Sequence, residues 1–72
     1  MLLVVILNYR LKIKEIRTQK GIYQKDLADK IGISANYLSE LEHNKFDIRF
    51  GLLLEIAKEL NVDVKELYEK IE

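Results

Sequence analysis

The sequence predicts an all-α domain of five short helices, preceded by a short N-terminal β-strand or extended arm. Apolar residues recur at three- and four-residue spacing along most of the chain, which is the period of a helix. The 72 residues include no Pro and only three Gly, which argues against a loop-rich or all-β protein. The N-terminal residues instead form an apolar run that continues into strict alternation, a pattern typical of a strand.

The N-terminal strand or arm is predicted over 1–9, and the helical domain over 10–72. We place the strand itself at about 2–9 and see no second strand elsewhere in the chain. A lone strand leaves its backbone polar groups unpaired, so we expect it to pair antiparallel with a second copy across a two-fold axis. The alternative is an apolar tail that packs on its own domain. The five helices are predicted over 11–20, 24–31, 35–43, 50–60 and 64–71.

Turn and capping residues support these helix boundaries. Gly21, Gly32 and Asn61 each follow a helical pattern and fit the left-handed residue just beyond a helix C-terminus. Ser34 is placed to cap the third helix. Asp63, followed three residues later by Glu, has the capping-box arrangement at the start of the fifth.

Several function classes are excluded by composition. The chain has no Cys and a single His, His43, so we expect no metal site and no cofactor. It has no nucleophile–base pair and no Gly-rich phosphate loop, so we expect neither an enzyme nor a small-molecule site. The apolar run from Met1 to Leu7 is too short to span a bilayer and lacks the features of a leader. We therefore expect a cytoplasmic protein of a prokaryote or phage, associated with the nucleoid and not with membrane.

The formal net charge is zero and the pI is about 6.6, but the charge is distributed unevenly. Residues 1–30 carry seven Lys or Arg against three acids, whereas residues 31–72 carry five against nine. This asymmetry predicts one basic and one acidic face.

The most informative stretch runs from Gln24 to Lys45 and reads QKDLADKIGISANYLSELEHNK. It predicts a helix, a tight turn at Gly32, and a second helix that Leu38 and Leu41 anchor along one side only. The opposite side of that second helix is free to face outward. A helix held in this way can enter the major groove of DNA.

This stretch resembles the phage-repressor/Cro type helix-turn-helix of the xenobiotic response element (XRE) family of transcriptional regulators. The resemblance extends over about residues 11–68, because Ile13-x-x-Ile16-Arg17 looks like the family's first helix and Leu53-x-x-Ile56-Ala57 like its fourth. It implies a five-helix repressor-like domain with the recognition helix at 35–43. The implied function is a sequence-specific regulator, typically a repressor, that binds a palindromic operator in double-stranded DNA as a homodimer.

The resemblance also implies roles for individual residues. Asn36 can pair with adenine, Glu40 can accept from cytosine, and Ala35 can pack on a thymine methyl group. For Tyr37, packing in the core is an equally good reading as a DNA contact. The implied base-contacting residues are Ala35, Asn36, Ser39 and Glu40, and the implied phosphate-contacting residues are Gln24, Tyr37, His43, Asn44 and Lys45. The cations expected to neutralise phosphates are Lys45 and Arg49, with Lys14 and Arg17 of the first helix.

Two of the positions that depart from the family's usual pattern affect the implied phosphate contacts. Asn44 stands where the family often has Gly, although Asn can adopt the same left-handed conformation. Tyr23 stands where Ser or Thr is common, which changes how Gln24 is posed toward a phosphate.

Unusually apolar positions predict a dimer surface. The residues assigned to it are Leu3, Val4, Val5 and Ile6 of the strand, and Leu54, Tyr68 and Ile71 of the last two helices. The same apolar residues, with the acidic second half of the chain, leave an alternative function open. In that alternative the domain is a protein-interaction module, antitoxin-like or regulator-binding, with little affinity for DNA.

Overall fold

A computed structural model describes residues 9–45 and 47–71 of the chain. This part of the chain forms four α-helices, one 3₁₀ turn and a two-stranded antiparallel ribbon. Its elements are β1 (Tyr9–Leu11), α1 (Ile13–Gln19), α2 (Gln24–Ile31), α3 (Ala35–Glu42), α4 (Phe50–Leu60), the 3₁₀ turn (Val64–Leu67) and β2 (Tyr68–Lys70). None of the described helices is long and apolar enough to cross a membrane.

The core lies where α2 packs against both α3 and α4, and where α1 and the 3₁₀ turn pack against α4. Its fully buried large side chains come from every helix and from the turn: Ile13, Leu27, Leu38, Leu41, Ile56, Leu60 and Leu67. Ala28 is also buried in this cluster, and its small side chain suits the close packing of α2 against its neighbours. The apolar spacing therefore identified the inner faces of the four α-helices correctly.

Each of the four described α-helices is followed, within two residues, by a residue in the left-handed conformation. The residues are Gly21, Gly32, Asn44 and Asn61, with φ of 72°, 78°, 59° and 58°. After each of them the next residue's N–H donates back into the last helical turn, as Ile33 does to the carbonyl of Ala28 at 3.0 Å. The left-handed residues predicted to follow α1, α2 and α4 are confirmed.

The prediction of a fifth helix over 64–71 is wrong. The capping box at Asp63 does form, since its side chain accepts from the N–H of Lys65 and its own N–H donates to Glu66. However, helical structure continues only to Leu67, as a 3₁₀ turn, and residues 68–70 form β2. The reason is competition for the backbone, because β1 offers these residues hydrogen-bond partners that an isolated last helical turn lacks.

The expectation of a lone strand is also corrected. In the described residues the strand is β1, and it pairs antiparallel with β2 of the same chain, with Arg10 opposite Glu69. The pairing continues as the N–H of Lys12 donates to the carbonyl of Leu67 at 2.7 Å. Residues 2–8 of the predicted strand lie outside the described residues, and the predicted helix at 11–20 begins at Ile13 and ends at Gln19.

Side chains fasten this ribbon to the helices. Arg10 donates to Glu69 across the ribbon at 2.6 Å and to Glu15 of α1 at 2.8 Å. The rings of Tyr9 and Tyr68 meet edge to face, with centroids 5.5 Å apart. One ion pair, Arg10 with Glu15, thus holds the ribbon to α1, whereas the Arg10–Glu69 pair and the aromatic contact join its two strands.

Candidate nucleic-acid interface

The helix-turn-helix consists of α2, a turn at Gly32, and α3. Gly32 has a φ of 78°, a conformation that side-chain-bearing residues rarely adopt, and so it allows the chain to reverse after α2. Ser34 then starts α3, because its Oγ accepts from the N–H of Tyr37 at 3.0 Å. This cap confirms the predicted start of α3 and fixes the direction in which the helix leaves the turn.

The outward face of α3 carries the four predicted base-contacting residues. Ala35 and Asn36 are exposed at the first turn, and Ser39 and Glu40, one turn further on, are half-buried. Residues separated by three or four positions share a face of a helix, so these four form one continuous surface. The fold therefore brings the four predicted residues together on the outer face of α3.

Two predicted phosphate-contacting side chains face inward instead. Tyr37 is half-buried and packs against the core cluster, which favours the core reading of this residue. Gln24 is half-buried, and its amide nitrogen donates to Glu42 at 3.0 Å. The first backbone N–H groups of α2 remain without helical acceptors, as at any helix N-terminus, and they are the part of this site suited to an anion.

The C-terminal end of α3 presents three further predicted contacts, all exposed: His43, Asn44 and Lys45. Nδ1 of His43 lies 2.7 Å from the carbonyl oxygen of Ser39. This nitrogen must carry the hydrogen, because a carbonyl oxygen only accepts. The other ring nitrogen, Nε2, is thereby left to face a ligand or solvent.

A buried ion pair holds the helix-turn-helix against α1. Arg17 donates from Nε and Nη2 to the two carboxylate oxygens of Glu42, at 2.8 and 3.1 Å, and from Nη1 to the carbonyl of Ile22 at 2.9 Å. Both side chains are almost completely buried. Arg17 was expected among the cations that neutralise phosphate, and that expectation is corrected, since its charge is already matched by Glu42.

The positions of Arg17 and Glu42 in the sequence already indicate this ion pair, which the search for motifs did not predict. Glu42 lies four positions after Leu38 and next to Leu41, on the inner face of α3, and Arg17 lies four positions after Ile13 on α1. An acidic and a basic residue on two inward faces are expected to meet, because a charge is rarely buried without a partner. Gln24, Arg17 and Glu42 thus form one network linking α1, α2 and α3.

The residues assigned to a dimer surface are placed differently from one another. Leu54 and Ile71 are exposed, as a contact surface requires. Tyr68 is half-buried, packs against the core and meets Tyr9, so its ring has an intramolecular role. Leu3, Val4, Val5 and Ile6 lie outside the described residues.

Comparison with known proteins identifies the same motif. A family model described as helix-turn-helix matches residues 13–67. A propionyl-CoA carboxylase regulator of Cereibacter sphaeroides is 36% identical over 56 residues, which cover 78% of this chain but only 12% of that protein. An uncharacterised HTH-type transcriptional regulator of Methanocaldococcus jannaschii is 32% identical over 57 residues, covering 79% of this chain and 86% of that protein.

The fold is also shared with solved structures. A crystal structure of a Bacteroides fragilis protein superposes with a TM-score of 0.81 at 30% identity, covering 85% of this chain and 98% of that one. The two relatives are named as regulators and not as enzymes. The chain is thus similar in sequence to proteins named as regulators and shares their helix-turn-helix.

Proposed function

Because this chain belongs to the XRE-type helix-turn-helix family, we propose that it is a sequence-specific DNA-binding transcriptional regulator that places α3 in the major groove. The observation that carries this proposal is the one-sided burial of α3. Leu38 and Leu41 are completely buried, whereas Ala35 and Asn36 on the opposite side are exposed. A helix whose inner side is packed in the core is held rigidly enough to place its outer side chains against base edges.

The outer side chains suit base recognition. The amide of Asn36 offers the donor and acceptor that match adenine, and the carboxylate of Glu40 accepts from the amino group of cytosine. The methyl group of Ala35 fits beside that of thymine. Lys45, His43 and the N-terminal backbone of α2 flank this surface and supply phosphate contacts, which set the register without reading the sequence.

We further propose that the protein binds as a homodimer to a palindromic operator in the prokaryotic cytoplasm. Two-fold symmetry in the protein requires two half-sites about 34 Å apart, which is one turn of DNA. The exposed side chains of Leu54 and Ile71 support a contact between copies. A dimer of this kind occludes the DNA that it covers, and so repression is the simplest regulatory outcome.

Selection from a pool of random double-stranded DNA tests this function. The full chain is incubated with the pool at low salt, because phosphate contacts weaken steeply as salt rises. Bound DNA is recovered over several rounds and sequenced. We expect enrichment of a two-fold-symmetric site with half-sites one helical turn apart. Failure to enrich any sequence contradicts the proposal, and enrichment of a single asymmetric half-site contradicts only the dimer.

The exposed apolar face of α4 favours a second candidate, a protein-interaction module. Phe50 is 62% exposed and Leu54 is 44% exposed, and they lie four residues apart on one face of α4. Purification from the native host separates the two candidates. A stoichiometric partner protein together with no retention on DNA favours the interaction module, whereas retention on DNA favours the regulator.

A further inference from the structure

Asn44 connects the end of α3 to the ribbon. It occupies the left-handed position after α3, where its N–H donates to the carbonyl of Leu41 at 3.0 Å. Its side-chain Oδ1 accepts from the N–H of Leu11 in β1 at 2.8 Å. Glycine satisfies the backbone requirement at this position equally well. The end of α3 therefore requires only a left-handed backbone at residue 44, and the side-chain amide serves the contact with Leu11.

The orientation of this amide follows from the hydrogen bond. A backbone N–H can only donate, so the atom that faces Leu11 is the oxygen and not the nitrogen. The carboxamide is planar, so fixing Oδ1 also fixes Nδ2 and its two N–H groups. Among residues 9–45 and 47–71, no protein group accepts a hydrogen bond from Nδ2 of Asn44, and the residue is exposed beside His43 and Lys45.

The strand side of the contact explains why Leu11 needs an acceptor. Arg10 lies opposite Glu69, and the N–H of Lys12 donates toward β2, so the N–H of Leu11 between them points away from β2. An edge N–H of this kind is left without a partner by the ribbon itself. Asn44 supplies that partner from α3.

We propose that Asn44 couples the ribbon to the DNA-contacting end of α3, because its amide binds Leu11 on one side and DNA on the other. This inference rests on the proposed function. The N–H of Leu11 holds the Asn44 amide so that its two N–H groups face a DNA phosphate beside Lys45. Coupling of this kind is reciprocal: the ribbon strengthens DNA binding, and bound DNA stabilises the ribbon at Leu11.

Three variants separate the parts of this proposal. Asn44→Gly keeps the left-handed backbone and removes the amide. Asn44→Asp keeps an oxygen for Leu11 but loses both N–H donors and adds a negative charge. Asn61→Gly is the matched control, because Asn61 has the same residue type and the same left-handed conformation after α4.

Two quantities are measured for the full chain: exchange of the Leu11 amide proton with solvent, by NMR, and affinity for the selected operator. Loss of a hydrogen bond is worth about 0.5–1.5 kcal/mol, so Asn44→Gly is expected to speed Leu11 exchange roughly 2- to 10-fold and to weaken DNA binding by a similar factor. Asn44→Asp is expected to keep Leu11 protected and to weaken DNA binding at least as much. Asn61→Gly is expected to change neither quantity.

Adding DNA provides the readout that a merely structural contact does not move. In the unaltered protein, operator DNA is expected to slow Leu11 exchange further, and in Asn44→Gly it is expected to have no such effect. If DNA leaves Leu11 exchange unchanged in the unaltered protein, or if Asn44→Gly binds DNA normally, the coupling is wrong. If Asn44→Gly leaves Leu11 exchange unchanged without DNA, the tether is wrong. Failure of the unaltered protein to bind any DNA overturns the proposed function and the coupling, while the DNA-free measurement still decides the tether.

Discussion

Arg17 and Glu42 are the two charged residues that are buried in the described part of the chain. Two parallel hydrogen bonds join the guanidinium of Arg17 to the carboxylate of Glu42. Arg17 also donates to the carbonyl of Ile22, and Glu42 also accepts from the amide of Gln24. A buried pair of this kind contributes little net stability over an apolar pair of similar size. Its consequence here is geometric, because it fixes α3 against α1 and the start of α2.

Removing one partner of this pair is expected to be costly. Arg17→Met leaves the carboxylate of Glu42 buried without its cation, and we expect a loss of about 3–5 kcal/mol in the free energy of unfolding, measured by urea denaturation. The double variant Arg17→Met with Glu42→Leu removes both charges and is expected to recover most of that loss. A single variant that unfolds at the same urea concentration as the unaltered protein contradicts this account of the pair.

Ionised Glu15 makes a small contribution to the free energy of unfolding, and this contribution is lost in acid. A hydrogen bond from Arg10, and secondarily its positive charge, hold the pKa of Glu15 below its ordinary value of 4.5, against the opposing effect of partial burial. A carboxyl with a lowered pKa contributes stability above its ordinary pKa, and loses it as the pH falls through the lowered value. We therefore expect Glu15→Gln to be slightly less stable than the unaltered protein at pH 7, and equally stable well below pH 4.5.

The comparison uses urea denaturation across a pH series, with Glu55→Gln on the exposed face of α4 as the control. Glu15 and Arg10 are both partly exposed to solvent, so the difference is expected to be small and to shrink as salt is added. A Glu15→Gln deficit that persists unchanged into acid contradicts the assignment to this ion pair.

At the scale of elements, the sequence predicted the helix-turn-helix well and the element after α4 poorly. The boundaries of α2 and α4 agree with the structure, because their inner faces follow the helical period and each ends at a residue suited to the left-handed conformation. The last element failed because Leu67 and the capping box favour a helix locally, whereas the strand pairing depends on β1, which lies far away in the sequence. Local patterns do not report such a partner.

The candidate site was likewise predictable only where local sequence patterns determine it. The outer face of α3 followed from residue spacing, because helical geometry alone determines which side chains share a face. The hydrogen bonds of Gln24 to Glu42 and of Asn44 to Leu11 join separate elements, so they required the tertiary structure. The family resemblance did not predict these two hydrogen bonds either, because it assigned Gln24 and Asn44 to contacts with DNA phosphate.

Proline substitution in β2 tests the observed element directly. The register places the N–H of Glu69 toward β1 and that of Lys70 away from it. Glu69→Pro removes a ribbon hydrogen bond and is expected to lower the Tm by several degrees, since about 1 kcal/mol corresponds to roughly 4–8 °C in a domain of this size. Lys70→Pro is expected to cost less. Glu69→Ala isolates the loss of the Arg10 ion pair, and equal effects of the two prolines would exclude this register.

At the scale of the whole molecule, the account predicts self-association. The apolar N-terminal residues and the exposed Leu54 and Ile71 are the proposed contact surface. We expect the full chain to sediment as a dimer, and a chain lacking residues 1–7 to shift toward the monomer. Leu54→Glu is a second probe, since a charge in an apolar contact is expected to weaken it. Monomers at all accessible concentrations, for both chains, would reject the strand-mediated dimer.

The most direct test of the central claim, that the outer face of α3 reads bases, is a base-by-base affinity profile of Asn36→Ala on the selected operator. We expect a loss of about 1–3 kcal/mol and relaxed choice at one position in each half-site. Lys45→Ala is the comparison, because a lost phosphate contact weakens all sequences alike and lowers the salt slope by about 1. An Asn36→Ala profile identical in shape to that of the unaltered protein would contradict the account.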